Sequence, residues 1–167
     1  MVRWMIRHDR DAVAAIEALA FPDPWSPQDI DDWLRGRRNV AVVAMLSGHQ
    51  HPVASLYYTI RDRHYQIVSL AVNPKLHRRG VGRVLVSYLK RKLTPDHRYR
   101  LTAYVRSTNV PAQMFFGAVG FRATRELRDY YDLGCGRYED AYEFVFRLDR
   151  GTEDVAAAKE ARAHADG

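Results

Sequence analysis

Apolar residues recur along this chain with two periods, and the change from one to the other marks its elements. Val2 to Ile6 is a short apolar-rich opening that predicts a first strand. From Asp9 to Phe21 the apolar residues Val13, Ile16 and Leu19/Ala20 fall at helical spacing. Phe21-Pro22-Asp23-Pro24-Trp25 stops that helix, because two prolines cannot continue it. Ser26-Pro27-Gln28-Asp29 then reads as a new helix start, with Ser26 as N-cap, Pro27 at the first helical position and an acid two residues later. Ile30, Trp33 and Leu34 form its apolar face, and it ends near Gly36.

The period shortens after that point. Asn39 to Ser47 and Pro52 to Ile60 are β-branched-rich runs around a turn at Gly48 to His51, which predicts an antiparallel hairpin. His64 to Val72 is a further strand, closed by Asn73-Pro74. Gly80 opens a helix with Val81, Val84, Leu85, Tyr88, Leu89 and Leu93 on one face. Arg100 to Arg106 is again a strand. Asn109 caps a helix whose inward residues are Ala112, Phe115, Phe116 and Val119 and which ends at Gly120. Phe121 to Arg128 and Glu139 to Leu148 read as two final strands around a Gly-rich loop. The fold class is therefore α/β. Only the segments 80–93 and 109–119 can serve as crossovers between parallel strands. Residues 1–149 form one domain, and 150–167 is an Ala-rich charged tail, expected to be flexible, with no bulky apolar residue after Val155.

Composition narrows the class. With 47% apolar and 11% aromatic residues in 167 positions, the chain can build a core. Its longest apolar run, Val40 to Leu46, is far short of the roughly 18 residues of a membrane span. Arg3, Arg7, Asp9, Arg10 and Asp11 leave no apolar stretch for a secretion signal. The single cysteine, Cys135, can form neither an intrachain disulfide nor a Cys-based zinc site, and the scattered histidines offer no metal set. A cytoplasmic protein with no membrane contact is expected.

The charge is uneven. Residues 61–100 hold 11 Lys/Arg against Asp62 and Asp96, a local net of +9, whereas the other 127 residues sum to −3. The whole positive excess lies in one 40-residue stretch, which suggests an anionic partner, either a phosphate-bearing small molecule or nucleic acid. Within it, a strand ending Leu70-Ala71-Val72 meets a turn, His77-Arg78-Arg79, and a helix opening Gly80-Val81-Gly82-Arg83. Free N–H groups and the helix dipole make such a start an anion site, and Arg78, Arg79 and Arg83 add charge-assisted donors. There is no Gly-Lys-Ser/Thr of a P-loop and no third glycine of a dinucleotide fingerprint. Nucleic acid is the weaker partner, because the stretch lacks the interleaved aromatics of a base-stacking surface.

Over residues 2 to about 148 the chain resembles the GNAT superfamily of acetyl-CoA-dependent N-acetyltransferases. Their signature Gln/Arg-x-x-Gly-x-Gly/Ala is matched by His77-Arg78-Arg79-Gly80-Val81-Gly82, with histidine as a departure at the first position. The resemblance implies a mixed, mostly antiparallel sheet with about four helices and a central parallel pair, 64–72 and 100–106, that splays apart. It also implies that Leu70, Ala71 and Val72 hold the pantetheine arm of acetyl-CoA and His77 to Arg83 its pyrophosphate, with Asn109 and Phe116 nearby. Three patches are similar to RimI-type protein N-terminal acetyltransferases: Phe21 to Ser26, Val105 to Asn109 with Gly120-Phe121, and Arg128 to Tyr131 with Glu139-Asp140-Ala141. In that group Tyr130, Tyr131 and Asp140 would stand at the substrate N-terminus. The partner implied is a peptide or protein N-terminus, ribosomal proteins included.

The resemblance fails at the chemistry. RimI-type enzymes place a basic glutamate in the fifth strand and an acidic tyrosine in the next helix, where this chain has Tyr104 and Phe116. Phe116 cannot donate a proton, and a phenol ordinarily titrates near 10. Tyr104 is thus a candidate catalytic residue. Tyr57, Tyr58, His64, Tyr65, Tyr130, Tyr131 or a water chain are open alternatives, as are a catalytically degenerate acetyl-CoA binder and a small-amine acetyltransferase. A site without a strong base favours an α-amine over a lysine, because the α-amine loses its proton near pH 8 rather than 10.4.

Overall fold

Among the described residues, seven extended runs pair into one sheet. They are β1 (Val2–Trp4), β2 (Asn39–Ala44), β3 (Ala54–Ile60), β4 (His64–Val72), β5 (Arg100–Arg106), β6 (Arg122–Gly134) and β7 (Arg137–Arg147). The helices are α1 (Arg10–Ala20), α2 (Pro27–Leu34), α3 (Val81–Lys90) and α4 (Val110–Ala118). This computed structural model describes residues 1–148; the tail 150–167 lies outside them. The strand order is β1-β2-β3-β4-β5-β7-β6, and every pair is antiparallel except β4–β5. The single parallel pair is joined by α3, as a crossover requires.

Helices cover both faces, which explains why β2 and β3 are apolar at nearly every position. Val42, Ala44, Leu56 and Tyr58 pack with Val81, Leu85, Val86 and Leu89 of α3 and Phe116 of α4. Ala41, Val43 and Tyr57 pack on the opposite face with Val13 of α1 and Ile30 of α2. Asp9, buried at the start of α1, takes two bonds from Arg3 of β1 at 2.6 and 2.8 Å and one from Ile6 N at 2.8 Å. Burial opposes its charge, but these donors hold its carboxyl below the usual range.

The expected cap of α2 forms. Ser26 Oγ accepts from Asp29 N at 3.2 Å, and Ser26 N donates to Asp29 Oδ2 at 2.8 Å. Ser26→Ala removes that acceptor and is expected to cost about 1 kcal/mol, read as a lowered midpoint in urea unfolding with an unchanged slope.

Several expectations need correction. Val84 and Leu19 are 47% and 63% exposed, while Val86 and Glu17 are buried. An amphipathic stripe is about 100° wide, and the pattern alone leaves its edges uncertain by one residue. The Gly-rich loop between the last strands is a tight turn, Cys135-Gly136, in which Gly134, Cys135 and Gly136 all have positive φ. β6 and β7 therefore run on past the predicted loop as one long hairpin, with an irregular register around 128–130.

Candidate active site

The parallel pair opens midway. β4 and β5 are in register from His64↔Arg100 to Ile67↔Ala103, and no further. The cause lies on the other edge of β4. There Tyr57 pairs Ser69 while Tyr58 pairs Ile67, so Val68 is an extra residue without a partner. A bulge of this kind bends its strand, here away from β5. Beyond it, β4 residues 69–72 and β5 residues 104–106 present backbone groups to a wedge-shaped gap that an amide-bearing chain can fill.

At the mouth of that gap stands the basic turn. Asn73 Oδ1 caps the short helix Pro74–Leu76 through Lys75 N at 3.1 Å. His77 Nε2 lies 3.0 Å from Val72 O. A carbonyl only accepts, so Nε2 carries the proton, and Nδ1 can donate to an anion only in the imidazolium form. Arg78 and Gly80 adopt positive φ, 60° and 81°, which turns successive N–H groups towards one side. The first helical N–H with a partner in α3 is Val84 N, to Gly80 O at 3.0 Å, so those before it are free to bind. Arg78, Arg79 and Arg83 are exposed around them. A Cβ on Gly80 would meet nothing within 4 Å, whereas one on Gly82 would meet Phe115 ring carbons at 3.1 and 3.2 Å and Leu70 Cδ2 at 3.6 Å. Gly82 thus lets α3 close on Phe115 and Leu70, a packing role that the sequence alone does not reveal.

The rest of the predicted cofactor set is placed as follows. Leu70 and Val72 pack towards α3 and Ala71 is buried. Asn109 spends its side-chain oxygen on Ala112 N at 3.1 Å, capping α4. Phe116 is 6% exposed, its ring 5.1 Å from Phe121 and 6.0 Å from Phe144, inside an aromatic cluster.

Across the gap stands a wall of phenols. Tyr104 is half-buried, and its ring centroid lies 5.1 Å from that of Tyr130, which is 5.0 Å from that of Tyr131. Tyr131 donates to Tyr104 O at 3.0 Å, tying the hairpin to β5. Its hydroxyl is pushed up to about 12, by burial first and then by Tyr130, so it stays a neutral donor. Arg106 lies over the Tyr131 ring at 4.9 Å and meets Glu139 at 3.4 Å. Asp140 accepts from Asp129 N at 2.8 Å, where Asp129 has a φ of 51°. Asp140 therefore holds the irregular turn that aims the two tyrosines. Tyr58 and Tyr65 pack edge to face in the α3-side core, on the far side of the sheet from Tyr57. Trp25 stacks on Tyr57 at 5.3 Å and anchors the α1–α2 connection.

Two carboxylates at this site escaped sequence reasoning. Glu143 is the cross-strand partner of Tyr104, and its Oε1 lies 3.5 Å from the Tyr104 hydroxyl. Glu17, on α1, is 2% exposed and accepts from Ser69 Oγ at 3.2 Å, next to the bulge. Burial lifts its carboxyl to about 7 against the lowering effect of Ser69 and Ser55. Periodicity carries no signal for either, because pairing across strands and the inward face of α1 are tertiary facts. Among the described residues no group of three or more His, Cys, Asp or Glu side chains could hold a metal ion, and no helix is long and apolar enough to cross a membrane.

The profile of the Acetyltransferase (GNAT) family matches residues 10–121. The catalytic subunit naa20 of the N-terminal acetyltransferase B complex of Schizosaccharomyces pombe is 25% identical over 92 residues, which is 55% of this chain and 51% of that protein. The chain thus spans about half the length of that relative. The ribosomal protein bS18-alanine N-acetyltransferase of Escherichia coli K12 is 28% identical over 133 residues, 80% of this chain and 87% of that protein. The crystal structure of the Escherichia coli ribosomal-protein-S18-alanine N-acetyltransferase superposes with a TM-score of 0.75 at 24% identity, covering 92% of this chain and 96% of that one, so the fold is shared.

Proposed function

The chain belongs to the Acetyltransferase (GNAT) family, and from that premise we propose that it moves the acetyl group of acetyl-CoA onto the α-amine of a peptide or protein. The observation that carries this reading is the opening of β4 from β5 beyond Ile67↔Ala103, set directly against the anion-binding start of α3. The pyrophosphate would lie on the N–H groups of Gly80, Val81 and Gly82 with Arg78, Arg79 and Arg83 around it. The pantetheine would pair with the free edge of Leu70, Ala71 and Val72. The thioester would then point down the gap towards Tyr104.

The amine would enter from the tyrosine side and attack directly, with no acyl-enzyme. Tyr130 and Tyr131 supply an apolar wall with polar tips, and Tyr104 supplies the hydroxyl that faces the reacting centre. Ribosomal proteins are the first partners to try, because the Escherichia coli relative is named for the alanine of bS18. A second reading, a non-catalytic acetyl-CoA binder, is favoured by one observation: Phe116 has no hydroxyl and sits in an aromatic cluster. Turnover separates the two.

The α-amine is expected to be acetylated in preference to lysine at neutral pH. At pH 7 about a tenth of an α-amine is neutral, whereas a lysine near 10.4 lies more than two units further away, roughly 3 kcal/mol. Mass spectrometry of a peptide with both amines, incubated with acetyl-CoA at pH 7 and pH 9, reads the outcome. The lysine product should climb more steeply above pH 8. Lysine labelling ahead of the α-amine at pH 7 would refute the assignment.

A further inference from the structure

Where its apparent relatives carry a carboxylate on β5, this chain has a phenol, and a carboxylate stands on the next strand. We propose that Glu143, acting through the Tyr104 hydroxyl, accepts the proton that the attacking amine gives up. The inference rests on the acetyl-transfer reading above and names the base of that same site.

Geometry supports it at each contact. Tyr104 and Glu143 are direct partners in the β5–β7 register, so their side chains leave the same face of the sheet. Leu101, Ala103 and Val105 point to the α3-side core, which puts Tyr104 on the opposite face, with Tyr130. Glu143 Oε2 is held by Thr124 Oγ1 at 2.8 Å and Arg125 Nε at 3.1 Å. Its other oxygen, Oε1, is turned to the Tyr104 hydroxyl at 3.5 Å, the long limit of a hydrogen bond. Contacts of this kind tighten when substrate binds. The groups around the carboxylate are Tyr104 from β5, Thr124 and Arg125 from β6, and more distantly His64 of β4, on whose ring the Glu143 charge acts. The carboxylate side chain is only 16% exposed.

The chemistry closes without a phenolate. A phenol alone could not keep the proton of an amine at neutral pH. As its oxygen takes that proton, however, it passes its own to Glu143 Oε1. The amine nitrogen bonds to the thioester carbonyl carbon, the C–S bond breaks, and the electron pair leaves on sulfur. The amide has then shed one proton, which rests on Glu143. The thiolate of coenzyme A takes a proton from water and Glu143 returns its own to water, so charge and protons balance. Tyr104 is the catalytic residue that meets the amine; Glu143 acts through it and positions it.

The test uses the full chain, acetyl-CoA and a peptide with a free α-amine. Four variants are compared: Glu143→Gln, Tyr104→Phe, the double change, and Arg122→Ala. Glu143→Gln should lower kcat about 10²-fold with KM for acetyl-CoA unchanged. Tyr104→Phe should lose as much, and the double variant little more, because the two act as one unit. Arg122→Ala, which alters an exposed β6 position opposite Val145 of β7, should stay within about threefold of the unchanged protein. A Glu143→Gln enzyme with intact kcat, or losses that multiply in the double variant, would overturn the proposal. Equal losses in Arg122→Ala and Glu143→Gln would also overturn it, because they would assign the effect to the β6–β7 pairing. Bound acetyl-CoA with no turnover by the unchanged chain would overturn the acetyl-transfer reading itself, and the relay with it.

Discussion

Gly82→Val is expected to weaken acetyl-CoA binding at least tenfold, about 1.4 kcal/mol. The effect has a single structural origin. A Cβ at this position falls 3.1 and 3.2 Å from the Phe115 ring and 3.6 Å from Leu70. Valine adds two methyl groups to that crowding, so α3 must withdraw from α4 or the ring must swing. Either movement shifts the first turn of α3, whose free N–H groups would hold the pyrophosphate. Gly80→Ala is the companion. It meets no atom within 4 Å but must hold a φ of 81°, which costs an alanine about 1 kcal/mol of strain in the turn itself. Calorimetric titration with coenzyme A measures both, and melting curves of the free variants show whether each is folded. Folded variants that bind coenzyme A as tightly as the unchanged chain would remove the pyrophosphate from this turn.

Glu17→Gln is expected to stabilise the protein by about 3 kcal/mol at pH 8 and by little at pH 4. The ordinary glutamate value is 4.5, and burial raises Glu17 to about 7. Between those two values the folded state holds a proton that the unfolded chain has released. The stabilising contribution of the neutral carboxyl is therefore complete below about pH 4.5 and is lost as pH rises through 7. Above 7 the fold carries an ionised carboxylate that is 2% exposed and has no cationic partner among its contacts. Glutamine keeps the hydrogen bond to Ser69 and does not titrate, so it removes the slope. For a domain of this size the gain at pH 8 corresponds to roughly 6–12 °C in Tm. Urea unfolding of both proteins across pH 4–8 gives the difference directly. A difference that stays flat across this range would show that Glu17 is not buried as a charge at neutral pH.

Retaining such a group has a location that fits function. Ser69, its partner, directly follows the Val68 bulge that opens the gap. The buried carboxylate whose ionisation costs stability thus lies beside the gap and not in the α3-side core.

What the sequence determined by itself was local. β4 and β5 run over the predicted residues, His64–Val72 and Arg100–Arg106, because β-branched runs bounded by Asn73-Pro74 and Ser107 leave little choice of ends. Ser26 and Asn109 cap their helices because a short polar side chain before a proline-started helix satisfies free N–H groups from within the same turn. The basic turn before α3 was legible for the same reason: its glycines, arginines and helix start are contiguous. The tertiary structure decided everything that depends on two strands or two layers meeting. It put Val68 out of register and so opened the gap, turned the Gly-rich loop into the end of a long hairpin, and engaged Asp140 with the Asp129 turn. It buried Glu17 under α1, packed Gly82 against Phe115, and set Glu143 opposite Tyr104, 39 residues away in the chain. Spacing along one element reports the energetics of that element alone. The pairing of β5 with β7 arises only when the whole sheet closes, and that pairing places the Glu143 carboxylate next to the Tyr104 phenol.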